Sequence, residues 1–193
     1  MMDRTGHEMI ATTRHEPTAT TRIETPLGTL LASAEQGALT GLWFIGQRHF
    51  PKNADQWAAD DNVAPFDALR RQLDEYFDGN RRSFELPLAP GGSHATTFQR
   101  SVWNAIAAVP FGETITYSAL AFRCGRPTAM RAAGAATGRN PISIVIPCHR
   151  IVGSGGDLTG YAGGIERKIR LLQLESSHHD APATSRQLDP RAH

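Results

Sequence analysis

Cysteine is scarce in this chain of 193 residues, which contains only Cys124 and Cys148. The two do not form a CxxC pair, so neither a disulfide framework nor a four-ligand zinc site is indicated, and we expect no metal and no cofactor. No apolar run approaches the roughly eighteen residues that a membrane span requires, and the N-terminal segment lacks the apolar stretch of a secretory signal. These absences lead us to expect a cytoplasmic globular protein with no membrane partner.

Acidic residues are absent from one long internal segment. Between Thr114 and Gly156 there is no Asp or Glu, although the formal net charge of the whole chain is only +1. The same segment contains five arginines: Arg123, Arg126, Arg131, Arg139 and Arg150. A local basic excess of this kind is typical of a surface that meets phosphate, and a solvated face with a chance cluster of arginines is the alternative.

The ends of the chain show no apolar periodicity. Residues 1–21 are rich in Thr, Arg and His and are predicted to form a disordered leader. Residues 177–193 resemble them in composition and are predicted to form a disordered tail. Neither segment is expected to carry chemistry.

An N-terminal α/β domain is predicted over residues 22–92. Two strand-like runs flank Glu35-Gln36-Gly37, which indicates a hairpin. Apolar residues spaced by three and four predict a helix over 66–77, and SFELPL at 83–88 favours another strand. The following Pro- and Gly-rich stretch marks a domain boundary.

A mostly helical C-terminal domain is predicted over residues 93–176, giving an α+β chain. Thr96 and Gln99 fit a capping box at the start of its first helix. Thr116 is placed to cap a short helix, Gly125 supplies a tight turn, and Pro127 is predicted as the first residue of the next helix. The pattern favours a helix-turn-helix that contacts DNA, although a packed hairpin of two helices has the same pattern.

The second helix of this pair has few large side chains. Small residues surround one long side chain, Arg131, and let the backbone approach a nucleic-acid groove while the arginine reaches into it. The residues predicted to meet DNA are Arg126, Ala129, Arg131, Ala132 and Gly134.

A thiol, an imidazole and a guanidinium stand together within the otherwise apolar stretch IVIPCHRIV, residues 144–152. A cysteine in such a run is usually an inert core residue. The adjacent His149 changes this interpretation for Cys148, because an imidazole can accept the thiol proton when a third group orients it. On a strand the two side chains would face opposite ways, so either the chain bends near Pro147 or a water molecule carries the proton.

The third group is sought in the final helical segment, IERKIRLLQLES. Spacings of four, three and three place Ile165, Ile169, Leu172 and Glu175 on one stripe. A glutamate at a helix end commonly turns outward, but an inward Glu175 would need a donor, and His149 is the natural candidate. The sequence therefore predicts a relay of Cys148, His149 and Glu175.

These motifs together resemble the O6-alkylguanine-DNA alkyltransferases, in particular their bacterial members. The resemblance runs from Phe98-Gln99 through Thr116-Tyr117 and Arg131 to Pro147-Cys148-His149-Arg150, and ends at Glu175. The N-terminal half resembles the family's ribonuclease-H-like domain in layout alone.

The resemblance implies a single-turnover methyltransferase that repairs DNA. Such a protein binds double-stranded DNA through the minor groove, extrudes O6-alkylguanine, and moves the alkyl group irreversibly to Cys148, with O4-alkylthymine left open as a second substrate. It implies that Arg131 fills the gap in the base stack and that Tyr117 presses on the phosphate and helps protonate the leaving base. A monomer is expected, with clustering along DNA left open.

The resemblance also implies the supporting residues. Asn140 would brace the turn before the active cysteine, and Arg150 would be a structural tie. The substrate pocket is expected to contain Tyr161, Ala162, Ser143, Ile146 and Thr159. Ser143 replaces a proline of mammalian members, and Ala162 replaces a serine.

Three other functional classes remain as alternatives. A lesion-binding protein without transfer activity would share the scaffold, but such relatives replace the cysteine, which is present here. A cysteine hydrolase would also use a thiol and an imidazole, but adjacent placement is unusual for those enzymes. A transcription factor related to the family would need additional metal-binding domains.

Overall fold

A four-stranded sheet is the base of the N-terminal half in the computed structural model, which describes residues 19–179. The strands lie in the order β3-β2-β1-β4. They are β1 (Ala19–Ile23), β2 (Leu30–Glu35), β3 (Ala38–Phe44) and β4 (Ala58–Ala59). The pairs β1·β2 and β2·β3 are antiparallel, and the short β4 pairs in parallel with β1.

The predicted hairpin and helix of this half are confirmed. Gln36 and Gly37 connect β2 to β3 with φ angles of 49° and 76°, as a two-residue turn that follows the twist of the strands requires. Helix α1 spans Phe66–Phe77 and buries Phe66, Leu69, Leu73 and Tyr76 on one face. The apolar spacing in the sequence therefore identified both the bounds and the buried face of this helix.

The C-terminal half consists mainly of helices. They are α2 (Thr97–Ala107), α3 (Tyr117–Arg123), α4 (Met130–Gly138) and α5 (Ile165–His179), with a two-stranded parallel sheet of β5 (Ile115–Thr116) and β6 (Ile151–Val152). Helices α2, α3 and α4 pack on one another. The buried apolar side chains of both halves form one continuous core, so the halves are not independent packing units. Within residues 19–179 no helix is both long enough and apolar enough to cross a bilayer.

Both predicted helix caps of this half are present. The Thr96 side chain accepts from the backbone N–H of Gln99, and the Gln99 side chain accepts from that of Thr96. The Thr116 hydroxyl accepts from the N–H of Ala119 at the start of α3. Each contact satisfies an N–H group that has no partner within its own helix.

The predicted disordered leader and tail each include a few residues that belong to the fold. Strand β1 begins at Ala19, and Thr20 and Thr21 are buried in the sheet. Helix α5 continues to His179, which includes the first three residues of the predicted tail. The β-branched threonines suit a strand that pairs on both sides, which the sequence interpretation overlooked. The remaining residues of both predicted segments lie outside the described range.

The strand predicted over 83–88 is wrong. In that stretch only Leu88 makes a strand-like bridge, with Leu39. The side chain of Gln72 on α1 instead pairs with Glu85, accepting from its N–H at 2.7 Å and donating to its carbonyl at 2.9 Å. Because one amide side chain satisfies both backbone groups of Glu85, the chain runs beside the helix at that residue and meets β3 only near Leu88.

The predicted start of α4 at Pro127 is also wrong. Helix α3 ends in a Schellman motif around Gly125 (φ 68°), in which the N–H of Arg126 bonds the carbonyl of Ala121. A turn closed by the N–H of Ala129 and the carbonyl of Arg126 follows. Pro127 occupies the second position of that turn, where its fixed φ is equally suitable, and the helix begins at Met130.

Candidate active site

The chain bends sharply where the thiol stands. Ile144 has a positive φ of 69°, and Pro147 leads into a single turn of 3-10 helix at Cys148–Arg150. The bend expected near Pro147 is therefore present, and Cys148 and His149 do not occupy opposite faces of a strand. The Cys148 residue keeps 5% exposure, while His149 has none.

Asn140 connects the start of this segment to the sulfur. Its Nδ2 donates to the carbonyl of Ile146 at 2.7 Å and to Sγ of Cys148 at 3.1 Å, and its Oδ1 accepts from the N–H of Ile142 at 3.1 Å. Asn140 is itself buried. The side chain braces the turn, as expected, and in addition supplies a donor to the sulfur, where a developing thiolate would be stabilised.

Burial raises the pKa of the Cys148 thiol to about 11, against the hydrogen bond from Asn140 and the positive charge of Lys168, which both lower it. At neutral pH the group is therefore a thiol and not a preformed thiolate. A reaction at this sulfur needs a base that removes the proton as the new bond forms.

His149 is placed to be that base. Its Nε2 lies 2.8 Å from Oε1 of Glu175, and Nδ1 is buried without a hydrogen-bond partner among the described residues. Burial lowers the pKa of His149, with Glu175 opposing the shift, so the ring is neutral at pH 7. An ionised carboxylate can only accept, so Nε2 carries the hydrogen and Nδ1 presents a lone pair.

Glu175 is fully buried and points inward. Arg150 donates to it twice, Nε to Oε2 and Nη2 to Oε1, each at 2.9 Å. The hydroxyl of Tyr76 donates to Oε1 at 2.7 Å, and the N–H of Gly112 donates to Oε2 at 3.1 Å. Burial alone would raise the pKa of Glu175, but the hydrogen bonds from His149 and Arg150, together with the positive charge of Arg150, outweigh it and hold the pKa well below the usual range.

The buried face of α5 is rotated relative to the one that the sequence predicts. The residues of α5 that face the core are Lys168, Leu171 and Glu175, whereas Ile165 is 41% exposed. Lys168 is buried because Nζ donates to the carbonyls of Ile151 at 2.6 Å and Thr159 at 3.0 Å. Lysine was not counted as a core residue, so the apolar residues alone gave a rotated face.

Lys168 is one of the site residues that the sequence analysis missed. Burial lowers its pKa, and Cys148 opposes that shift, so the ammonium group lies close enough to the sulfur for the two charges to interact. Lys168 lies seven residues before Glu175, which is two helical turns away on the same face of α5. This spacing is the feature that would have identified Lys168 as a site residue.

A cleft of about 290 Å³ opens beside the thiol. Its lining is formed by Arg48, His49, Tyr117, Gly134, Ala135, Gly138, Arg139, Gly160, Tyr161 and Ala162. Burial and, after it, the charge that Cys148 would carry raise the pKa of Tyr117 and of Tyr161, so the sulfur lies close enough to two residues of the cleft wall to interact with them electrostatically. The lining contains basic side chains and no Asp or Glu, so it suits an anionic ligand such as a nucleotide.

Five residues were expected in the substrate pocket, and two of them, Tyr161 and Ala162, line this cleft. The other three do not belong to its lining. Ser143 is buried, with its hydroxyl 3.3 Å from Oε1 of Gln47. Ile146 and Thr159 contribute backbone carbonyls, which accept from Asn140 and from Lys168 respectively. These three were assigned to the pocket from the resemblance to the alkyltransferases, and their contact with a substrate stays a prediction.

Helices α3 and α4 form the predicted helix-turn-helix, and both contribute residues to the cleft lining. Arg131 and Ala132 are exposed on α4, and Ala129 just before it is half-buried. A Cβ at Gly134 would contact the ring of Tyr117 at 3.7 Å, so a small residue lets α4 pack close to the cleft wall. The last of the predicted DNA-contacting residues, Arg126, is exposed between the helices, with its guanidinium 5.6 Å from the ring centroid of Phe98.

The cleft also has a wall from the N-terminal half, which the sequence did not reveal. Arg48 and His49 follow β3 and line the same cleft as residues of α3 and α4. The N–H of Arg48 donates to the carbonyl of Ala162 at 3.0 Å. Among the described side chains, no group of three or more His, Cys, Asp or Glu is arranged to hold a metal ion.

Known proteins share both halves of this chain. The sequence profile described as 6-O-methylguanine DNA methyltransferase, DNA binding domain, matches residues 97–177, and the profile of the ribonuclease-like domain of the same proteins matches residues 19–90. A methylated-DNA--protein-cysteine methyltransferase of Methanosarcina barkeri is 46% identical over 157 residues, which cover 81% of this chain and 96% of the relative. The protein of the same name from Mycolicibacterium paratuberculosis is 41% identical over 162 residues, covering 84% of this chain and 94% of the relative.

The fold agrees with solved structures. The crystal structure of Mycobacterium tuberculosis OGT in complex with DNA superposes with a TM-score of 0.75 at 39% identity, covering 83% of this chain and 94% of that one. The crystal structure of the Mycobacterium tuberculosis O6-methylguanine methyltransferase gives the same TM-score and identity over 87% of this chain and 97% of that one. With both halves matched in order and nearly the full length of the relatives covered, this chain belongs to the 6-O-methylguanine DNA methyltransferase family.

Proposed function

We propose that the protein repairs DNA by transferring the alkyl group of O6-alkylguanine to Sγ of its own Cys148. The observation that carries this proposal is the buried set of Cys148, His149 and Glu175 beside a basic cleft at the edge of a helix-turn-helix. The names of the relatives, and the DNA-bound structure of one of them, support the same reaction and the same partner.

Recognition of duplex DNA is assigned to α4. Its exposed small residues let the backbone approach the minor groove, and Arg131 enters the base stack in place of the extruded nucleotide. The extruded guanine then occupies the cleft between α4 and the Gly160–Ala162 loop. The basic side chains of the cleft lining meet the phosphates that flank it.

Transfer begins with the Cys148 proton. It passes through a bridging water to Nδ1 of His149. The Nε2–H group of the same ring remains hydrogen-bonded to Glu175 throughout. The sulfur electron pair forms a bond to the alkyl carbon while the bond from that carbon to O6 breaks. Guanine leaves with the electron pair of that bond and needs a proton.

Tyr117 is assigned as the donor of that proton. Its hydroxyl lies 3.4 Å from the carbonyl of Thr159 and 3.3 Å from that of Gly160. These are long contacts, so the hydroxyl is available to turn toward the base. The phenol recovers its proton from the relay, so the thiol proton finally replaces the alkyl group on guanine.

The product is a thioether at Cys148, and it is permanent. A thioether has no carbonyl for water to attack, so the described groups cannot hydrolyse it. Each molecule therefore repairs one lesion and is spent. The protein needs no partner other than DNA for this reaction and is proposed to act as a monomer.

The test is to incubate the protein with a duplex that contains one O6-methylguanine and to weigh the Cys148 peptide. Transfer predicts an irreversible gain of one CH2 on that peptide, up to one per protein molecule. Cys124→Ser is the matched control, because it removes the other thiol and leaves the reaction intact, whereas Cys148→Ser abolishes it. Reversible binding without a mass change would assign the chain to the lesion-binding class and overturn the proposal. A parallel duplex with O4-methylthymine tests the second substrate.

A further inference from the structure

The carboxylate of the relay is held from the other half of the molecule. Tyr76 lies on α1, in the ribonuclease-like half, and its hydroxyl donates to Oε1 of Glu175 at 2.7 Å across 99 positions of sequence. Tyr76 and Glu175 are both fully buried. The Tyr76 ring packs at an edge against Phe77 and Phe111, with centroids 5.4 and 6.1 Å away, so the hydroxyl has little freedom to move.

Tyr76 donates to the same oxygen of Glu175 that faces His149. Oε1 accepts from Tyr76, from Nε2 of His149 and from Nη2 of Arg150, whereas Oε2 accepts from Nε of Arg150 and the N–H of Gly112. The phenol and the imidazole therefore share one oxygen. A donor on that oxygen withdraws negative charge from it, and this lowers its ability to stabilise a positive charge on the ring.

Tyr76 stays a donor at every pH at which the protein would work. Burial, and next to it the charge of Glu175, raises the pKa of the Tyr76 hydroxyl well above its usual range. The phenol therefore does not lose its proton to the carboxylate. Its hydrogen bond is a fixed part of the site and not a titrating one.

We infer that Tyr76 is a positioning residue for the transfer reaction, which fixes Oε1 of Glu175 and keeps His149 neutral and correctly oriented as the acceptor of the Cys148 proton. This inference rests on the proposed role of His149 and extends it. It gives the ribonuclease-like half a direct part in tuning the thiol.

Loss of the hydroxyl alone has a defined consequence. In Tyr76→Phe the ring packing is retained, but Oε1 keeps only two donors and carries more negative charge. The imidazolium form of His149 is then better stabilised, so the pKa of His149 rises. A larger fraction of His149 is protonated at a given pH and unable to accept the thiol proton.

The experiment measures how fast iodoacetamide alkylates Cys148 as a function of pH, with the Cys148 peptide quantified by mass. For Tyr76→Phe we expect the acid limb of the profile to move toward higher pH by about one unit or less, since only part of the energy of a hydrogen bond to the carboxylate is transmitted to the pKa of His149. Replacement of Tyr76 by 3-fluorotyrosine, a more acidic and stronger donor, should move the limb in the opposite direction. In a His149→Gln background, neither change should have any effect on the profile.

Leu69→Ala is the matched control for stability. Leu69 is buried on the same face of α1 and makes no hydrogen bond to Glu175, so its loss should lower the melting temperature and leave the pH profile unchanged. Profiles of Tyr76→Phe and wild type that superimpose, or a shift in Leu69→Ala equal to that in Tyr76→Phe, would overturn the inference.

The same assay separates this inference from the proposed function, because iodoacetamide reacts without DNA. A shifted profile in Tyr76→Phe supports the inference even if the wild type fails to accept a methyl group from DNA. Methyl transfer by the wild type together with unshifted profiles would retain the proposed function and remove the role of Tyr76.

Discussion

Lys168 shows how much a single buried charge contributes to this site. It is one of only two lysines in the chain, and it is fully buried with its ammonium on two backbone carbonyls. One of those carbonyls belongs to β6, which follows Cys148, and the other to Thr159, which precedes the cleft loop. The same side chain therefore holds two segments of the site together and supplies positive charge near the sulfur.

Replacing this lysine should make the thiol less acidic. In Lys168→Met the positive charge that lowers the pKa of Cys148 is lost, so the thiolate becomes less favourable and the alkylation profile moves toward higher pH. We expect alkylation of Cys148 by iodoacetamide at neutral pH to slow by roughly two- to tenfold. Lys52→Met, at the other, exposed lysine, is the control and should match the wild type. An unchanged profile in Lys168→Met would show that the ammonium acts only as a structural tie.

At the scale of elements, α4 is distinguished by its lack of bulk. Its nine residues, MRAAGAATG, bury Ala133, Ala136 and Thr137 against the protein and present Arg131 and Ala132 to solvent. A helix with such small exposed side chains brings its own backbone close to whatever it meets. Its surface is thus sensitive to the addition of even one large or negative group.

A glutamate at Ala132 should therefore separate DNA binding from thiol chemistry. Ala132→Glu adds bulk and negative charge to the exposed face of α4, so affinity for a duplex should fall by about tenfold or more. Alkylation of Cys148 by iodoacetamide should not change. Fluorescence anisotropy with a labelled duplex at fixed salt measures the first effect. Ala59→Glu, on the exposed edge strand β4, provides a matched change of charge. Equal affinity for the two variants would exclude α4 from the DNA interface.

Sequence patterns predicted the elements best where the cause of the structure is local. The capping box at Thr96, the turn at Gln36-Gly37 and helix α1 depend on residues within one or two turns of one another. The strand over 83–88 was mispredicted because its backbone pairs with a side chain, that of Gln72, from a different element. The start of α4 was misplaced because a proline suits the second position of a turn as well as the first turn of a helix.

The same division applies to the candidate site. Cys148, His149 and Glu175 were brought together by adjacency and helical spacing, and the structure places the last two in contact. Tyr76, Arg48 and Lys168 were not predicted as site residues. The first two come from the other half of the chain, and no local pattern indicates which distant residue faces a buried carboxylate. Lys168 was missed because a lysine is rarely a core residue.

At the scale of the whole molecule, Glu175 is the point where the halves meet. Its donors come from α1, from the loop after α2 and from the turn that contains the thiol. Other contacts cross the same boundary, including the bridge between Leu42 and Ile142 and the cation–π contact of Arg167 with Phe44, at 4.5 Å. Folding of one half is therefore coupled to folding of the other.

This coupling predicts how stability depends on pH. The pKa of Glu175 in the folded protein lies below its unfolded value of about 4.3. Ionised Glu175 therefore stabilises the fold above about pH 4.3, and the contribution is lost as the pH falls toward the folded value. Glu175→Gln leaves Arg150 buried without its carboxylate, so we expect its free energy of unfolding at pH 7 to be about 3–5 kcal/mol lower than that of the wild type.

The difference between the two proteins should narrow as the pH falls below about 4, because the unfolded wild-type chain then binds a proton at Glu175 that the folded protein excludes. Urea unfolding at pH 7, 5 and 3 measures this dependence. Glu166→Gln, on the exposed side of the same helix, is the control and should unfold like the wild type at each pH. A constant difference across the series would mean that Glu175 does not titrate with folding.

The linker between the halves, around Gly91, is held against both of them. The N–H of Gly91 bonds the carbonyl of Thr40 on β3, and a side chain at Gly91 would come within 3.3 Å of the indole of Trp103. A proteolytic cut there would not release a working alkyl acceptor. The C-terminal fragment would expose the indole of Trp103 to water and would lose Tyr76, whose hydroxyl donates to Glu175. A shortened protein that contains only the thiol-bearing half should therefore tend to aggregate.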